Sequence, residues 1–359
     1  MQSSKIRLGI VFGGKSAEHE VSIRSAANVV RAVDTVKYDL LFFGIDRKGG
    51  WHLTDAEMLK VSEVPSGQGK GGDYAALTLA GVLPALGSCD AIFPVLHGPC
   101  GEDGTVQGLF RLIDVPFVGA DVLGSAVGMD KCAMKRLLSN ANIPIGRYAS
   151  FRNENEALES YSEMVAKLGN TLFIKPSAQG SSIGVSRVQT AEEYRAAVID
   201  AFQYDDVILV EEAITGREIE CAVLGDREVI TSLCGEIIPR GGFYSYENKY
   251  IDENGAAFEK PAKISLEISD RMRKMAMDTF VALDCSGLAR VDFFLKEDGS
   301  IFVNEINTLP GFTSISMYPQ LFEISGVRTN ELIDRLVSIA RQRHARQRGR
   351  KIDRRATIS

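Results

Sequence analysis

Apolar residues repeat along the chain with two different periods. Ile6 to Phe12 is an apolar stretch interrupted by Arg7 and reads as a strand; residues 21–32 follow with Ile23, Ala26, Ala27 and Val30 at helical spacing. Tyr38 to Ile45 and Ala91 to Leu96 read as further strands, and strand–helix–strand order predicts a parallel sheet covered by helices. Asp130 is placed to cap a helix reaching about Asn140, with Pro144 closing the region. Residues 171–188 hold two strand-like runs around a Ser/Gly-rich turn, Ala178 to Ser182, before a helix at 192–202 and a strand at Val207 to Glu211. Strands at 217–224 and 228–236, a helix at 267–283 and a strand pair at 288–295 and 301–307 come next, the pair joined through Asp298-Gly299. A last helix starts near Thr329 or Asn330 with Leu332, Ile333, Leu336, Val337 and Ala340 on one face. Segment 65–73 is Gly-rich and predicted as a surface loop, 239–260 as a long polar and aromatic loop. There is no internal repeat.

The 359 residues suffice for two or three domains, and 45% apolar with 25% charged residues excludes disordered and collagen-like classes. Net charge is −6, but residues 341–355 carry eight Lys/Arg and one acid, leaving the rest at −13. An acidic body argues against a broad nucleic-acid surface. The basic run is expected to be a solvated, partly disordered tail. Six scattered cysteines without CxxC spacing read as small buried hydrophobes in a reducing compartment. No signal peptide and no run of 18 apolar residues are found, so a cytoplasmic, non-membrane protein is expected.

Candidate chemistry concentrates in a few segments. In the strand pair 288–307 alternation puts Arg290 and Asp292 on one face, and Glu305 and Asn307 on one face of the partner. Three hard oxygen ligands without His or Cys suit Mg²⁺ better than Zn²⁺; the alternative is a polar sheet face with a salt bridge. Lys175 ends an apolar strand next to a Gly/Ser turn whose N–H groups suit a phosphate, and Lys131 stands at a helix start that also favours anions; a plain hairpin and a surface lysine are the competing readings. Glu211 and Glu212 end another apolar strand, where acceptors can meet an adenine amino group or ribose hydroxyls, and Glu218 has similar status. Gly9 to Ser16 fits the P-loop pattern, yet positions 10–12 are still strand-like where that loop needs a finished strand.

Three segments together resemble the D-alanine–D-alanine ligases: Gly13-Gly14-Lys-Ser-Ala-Glu18-His-Glu20-Val-Ser, His97-Gly98-Pro-Cys-Gly-Glu-Asp-Gly104-Thr-Val-Gln-Gly, and Asn304-Glu-Ile-Asn-Thr-Leu-Pro-Gly311-Phe-Thr. The resemblance spans about residues 5–340. It implies an α/β chain, α+β in its C-terminal part, with the ATP-grasp fold: an N-terminal domain at 1–120, a small central domain at 121–211, a C-terminal domain at 212–344 and the basic tail at 345–359. It implies ATP, two Mg²⁺ (Mn²⁺ substituting) and D-alanine as partners, a homodimer, and a D-alanyl phosphate attacked by a second D-alanine for peptidoglycan precursors. By the family's pattern Asp292, Glu305 and Asn307 hold metal; Lys131, Lys175 and Lys249 meet the ATP phosphates; Glu211 and Glu218 meet adenine and ribose. Glu18 would bind the first ammonium with His97 close by, and Ser181 and Tyr250 would join Glu18. Arg290 and the Gly311 N–H would stabilise the oxyanion, and Ser316 and Met317, usually Leu in the family, would bind the second carboxylate. The Tyr246-to-Tyr250 pattern favours an amine over D-lactate as second nucleophile. A depsipeptide ligase, a P-loop NTPase and a non-catalytic nucleotide sensor are the alternatives. No general base emerges.

Overall fold

The computed structural model describes residues 5–66, 79–239 and 256–351. Lys249, Tyr250 and most of the two predicted loops lie outside them. The first sheet is built from β1 (Ile6–Gly13), β2 (Tyr38–Ile45), β3 (Trp51–Thr54) and β4 (Ala91–Val95) in the order β3-β2-β1-β4. β1 pairs in parallel with β2 and β4, as the strand–helix–strand pattern predicts, but β3 is an antiparallel edge strand and makes the sheet mixed. Helices α1 (His19–Ala32), α2 (Leu79–Gly87) and α3 (Thr105–Leu112) accompany it. The sharp exit from β1 needs glycine: Gly13 has φ 89°, and a Cβ there would lie 2.2 Å from the Ile45 carbonyl oxygen.

Helices α4 (Val122–Met129) and α5 (Lys131–Asn140) lead into a second sheet, ordered β5-β8-β6-β7, of β5 (Tyr148–Phe151), β6 (Leu172–Pro176), β7 (Ser186–Val188) and β8 (Ile208–Glu212). Helices α6 (Glu154–Glu159), α7 (Tyr161–Leu168) and α8 (Ala191–Ala201) share its core, which includes Met164, Ile174, Tyr194 and Val210. Asp130 caps α5 as its sequence position predicts, accepting the Ala133 N–H at 2.9 Å.

The third sheet, β11-β10-β9-β12-β13, is antiparallel throughout. Its strands are β9 (Arg217–Gly225), β10 (Val229–Pro239), β11 (Ala256–Glu259), β12 (Gly287–Leu295) and β13 (Ile301–Asn307). β11 occupies the end of the segment expected to be loop. α9 (Leu266–Ala282) covers one face through Met272, Ala276 and Phe280. α10 (Met317–Ile324) and α11 (Thr329–Arg348) close the chain, and the apolar stripe of α11 shares a core with β1, β4 and α1 of the first sheet.

The basic run is therefore not a solvated tail from its start. Arg343 is 6% exposed, its guanidinium donating to the Phe117 carbonyl at 2.9 Å, to that of Gly119 and to Ser286, and stacking over the Phe117 ring. Arg346 pairs with Asp226, and Gln347 donates to Asp121. A long side chain that looks solvent-bound in sequence here satisfies buried carbonyls. The cysteine reading also needs one correction: all six thiols are unpaired and five are buried, but Cys100 is exposed.

Candidate active site

A cleft of about 680 Å³ lies where the three sheets converge. The N-terminus of α1 contributes Glu18, and the turn after β4 contributes His97 and Glu102. The start of α5 adds Lys131, and the Gly/Ser turn adds Gln179 to Ser181. β9, β12 and β13 supply Glu218, Glu220, Arg290, Asp292, Glu305 and Asn307, and the following loop Gly311, Ser316 and Met317. Twelve of the sixteen residues singled out in sequence thus share one cavity.

Local folding explains the convergence. His19 is buried, its Nδ1 donating to the Gly14 carbonyl at 2.8 Å and its Nε2 accepting from Val64 N–H at 3.1 Å, which fixes the loop carrying Glu18. Gly98, with φ 75°, and Gly180 pack so closely that a Cβ on either would sit within 3.8 Å of the Glu18 carboxylate. Ser181 and Ser182 take left-handed φ values of 54° and 60°, a conformation uncommon outside glycine and often stored at functional turns. Ser177 ties that turn to α5: its hydroxyl donates to Asp130 at 2.7 Å and accepts from Cys132 N–H.

On the third sheet Asp292 pairs directly with Glu305, and Arg290 with Asn307. The register then slips, so that Phe293 faces Val303 and Asn304 is the extra residue. This bulge turns Asn304 toward the cleft beside Glu305. Arg290 grips Asp292 at two points, both 2.7 Å, and reaches Glu220 at 3.1 Å. Burial works against the Arg290 charge, but Asp292 and Glu220 hold the guanidinium protonated. Lys131 donates to the Gln179 carbonyl at 2.6 Å and lies 3.9 Å from Glu305.

Glu211 and Lys175 are not on the wall of this cavity but form their own cluster. Glu211 is buried between Lys175 at 2.7 Å and Lys135 at 3.1 Å. Burial alone would raise its pKa; the two ammonium groups bring it down to about 2. Lys135 was not singled out in sequence, although it stands one helical turn after Lys131. Glu102 and Glu220 were also missed, as acids inside longer motifs. Glu102 is buried, and burial together with the Glu18 charge pushes its carboxyl up to about 8 despite the 3.1 Å bond from Gly98 N–H.

The loop after β13 is shaped by Ser316, whose hydroxyl accepts from Thr313 N–H at 3.0 Å and lies where a Cβ on Gly311 would be only 2.9 Å away. Met317 turns its side chain into the core, over Gly235, and opens α10, so only its backbone suits a carboxylate. The P-loop reading is overturned. Gly9 lies inside β1, paired with Leu41 and Ile92, with no room for an anion.

Three sheets meeting over a cleft lined by lysine, arginine and clustered oxygen donors define an ATP-grasp ligase. The comparisons narrow this to a family. Models described as D-ala D-ala ligase N-terminus and D-ala D-ala ligase C-terminus match residues 7–120 and 137–338. A D-alanine–D-alanine ligase from Oceanobacillus iheyensis is 47% identical over 354 residues, covering 95% of this chain and 97% of the relative. Among solved structures, the D-alanine-D-alanine ligase of Coxiella burnetii superposes with a TM-score of 0.79 at 36% identity, covering 96% of this chain and 97% of that one. The VanG D-Ala:D-Ser ligase of Enterococcus faecalis gives 0.80 at 36% identity, covering 94% and 100%. The chain belongs to the D-alanine–D-alanine ligase family.

Proposed function

We infer that the cleft performs the reaction of this family: the chain joins two D-alanine molecules at the expense of ATP, supplying peptidoglycan synthesis. The observation that carries the reading is the facing of two walls. Glu18 and His97 come from the N-terminal sheet, and Arg290, Asp292, Glu305 and Asn307 stand opposite on the C-terminal one. A free carboxylate is a poor acyl donor at neutral pH, so phosphorylation by ATP gives it a leaving group.

The roles follow from charge and position. Glu18 holds the ammonium of the first D-alanine, with Ser181 beside it on the Gly/Ser turn. Arg290 and the Gly311 N–H face the oxygen that becomes negative when the acyl phosphate is attacked; losing one such donor costs about 3–4 kcal/mol of barrier. Ser316 and the backbone of Met317 hold the second carboxylate. Lys131 and Lys175 meet the phosphates, and Glu211 and Glu218 the adenine and ribose. Lys249 and Tyr250 keep their family roles in this proposal.

No three His, Cys, Asp or Glu side chains cluster as a metal site among the described residues. The donor set nevertheless fits Mg²⁺: two carboxylates and an amide on adjacent strands are the hard oxygen donors this ion takes together with phosphate oxygens and water. Asp292, Glu305 and Asn307 would hold two such ions, with Mn²⁺ able to substitute, and the metal would neutralise phosphate oxygens during transfer. Domain limits near 120/121 and 211/212, a homodimer and a cytoplasmic location belong to the same proposal. The first limit falls between the first and second sheets, whereas the second sheet runs one residue past 211, to Glu212 at the end of β8, and no helix among the described residues is long and apolar enough to cross a membrane.

Offering ATP, Mg²⁺ and D-alanine with D-lactate or D-serine as rival second substrate, and weighing the products, tests the assignment. D-alanyl-D-alanine should dominate near neutral pH; dominant D-alanyl-D-lactate would refute it.

A further inference from the structure

Among the described residues, the proposed roles leave buried, unpartnered polar atoms of the cleft wall without work, His97 Nε2 and Glu102 Oε2. His97 is 5% exposed and lines the cavity. Its Nδ1 lies 3.0 Å from the Leu309 carbonyl oxygen. A carbonyl only accepts, so Nδ1 carries the ring's proton. Nε2 has no hydrogen-bond partner among the described residues. Burial lowers the His97 pKa, opposed by the Glu18 charge and the Leu309 bond. The ring is therefore neutral, and Nε2 presents a bare lone pair. Such a tautomer, fixed from behind by a backbone carbonyl, is the form an acid–base histidine needs.

We propose that His97 is a catalytic residue, its Nε2 taking the proton that the attacking amine sheds as the C–N bond forms. This rests on the ligase reading above. The nitrogen lone pair forms the bond to the acyl carbon, and the carbon–oxygen bond to phosphate breaks with its electron pair leaving on the phosphate. The N–H proton passes to Nε2, and the resulting imidazolium returns it to the departing phosphate. A base of lowered pKa suits this step, because the nitrogen becomes strongly acidic once bonded to the tetrahedral carbon.

The charged groups around the ring support the placement. Glu18 and Arg290 line the same cleft as His97 and are the charges that act on it, one assigned to the first ammonium and the other to the oxyanion. Glu102, the other buried acid on this wall, makes a poorer acceptor. Its carboxyl is pushed up to about 8 and is protonated at neutral pH.

His97→Asn separates this role from mere positioning. The asparagine amide can still donate to the Leu309 carbonyl but places nothing at Nε2. Two products are measured with the full-length chain, ATP, Mg²⁺ and D-alanine: D-alanyl-D-alanine, and the hydroxamate formed when hydroxylamine traps the acyl phosphate. Dipeptide kcat should fall about 100-fold while hydroxamate formation stays within about threefold. Equal loss of both products, or no loss, overturns the proposal. Absence of hydroxamate from the unaltered enzyme would instead overturn the acyl-phosphate reading beneath it. Should the substitution unfold the chain, the unaltered enzyme carries the test through its acid pH limb. That limb should appear in dipeptide kcat below the ordinary histidine range and be missing from hydroxamate formation; a limb common to both contradicts the role.

Discussion

Glu211 and Glu102 are both buried carboxyls, yet one is held at about 2 and the other pushed up to about 8. The difference lies in the company each keeps. Glu211 sits in a cluster where bases outnumber acids, between Lys135 and Lys175. Glu102 faces a wall where acids outnumber bases: Glu18 and Glu305 both act on it, and Arg290 is already engaged by Asp292 and Glu220. Burial penalises charge in both places, and only the local charge balance decides the outcome. The first region is a finished ion cluster that holds strands β6 and β8 to α5 and presents surplus positive charge suited to a nucleotide. The second is electrically incomplete and is suited to receive cations.

The sharpest way to break this contrast is to remove one acid from each side. Asp292→Asn should cut kcat by about 1000-fold, since it removes an assigned metal ligand, and should cost about 1–3 kcal/mol in urea unfolding, because Arg290 loses its two-point grip and keeps Glu220. Equal turnover would take Asp292 out of the site. Glu211→Gln should act more strongly on the fold. It leaves two lysines buried beside a neutral amide and should lower stability by roughly 3–4 kcal/mol in urea titration. An unchanged midpoint would show that the cluster is not structural.

The pH response sharpens the same comparison. The Glu211 pKa is depressed on folding, so its contribution is present above about 4.5 and lost as pH falls through about 2, roughly 3 kcal/mol in all. Glu102 has the opposite sign. Its raised pKa gives stability that is full below about 4.5 and lost as pH rises through about 8. The melting temperature should therefore fall below about pH 4.5 and again as pH rises from about 4.5 to about 8, Glu102→Gln flattening only the second window. The smallest effect is expected at the C-terminus. A chain ending at Arg348 keeps the Arg343 and Arg346 contacts and should retain turnover within about twofold.

Much of this was legible in the sequence, because long apolar runs and glycine-marked turns reported β1, α1, β2 and the β12–β13 pair directly. The elements that escaped have physical disguises. β3 is four residues long, α2 carries Pro84 inside it, and α10 has Pro319 in its first turn. The bulge at Asn304 leaves no mark on an alternating pattern. Lys135 looked like a solvated helix residue and Arg343 like part of a tail, because a buried cation is identified by partners distant in sequence. The active-site motifs were readable as a set, whereas the charge states that separate Glu211 from Glu102 come only with the fold.

The most direct test of the account is the stoichiometry of phosphate release. With ATP, Mg²⁺ and D-alanine, one phosphate should appear for each D-alanyl-D-alanine formed, and L-alanine should release far less. ATP binding without phosphate release on adding D-alanine, or equal release with L-alanine, would contradict it.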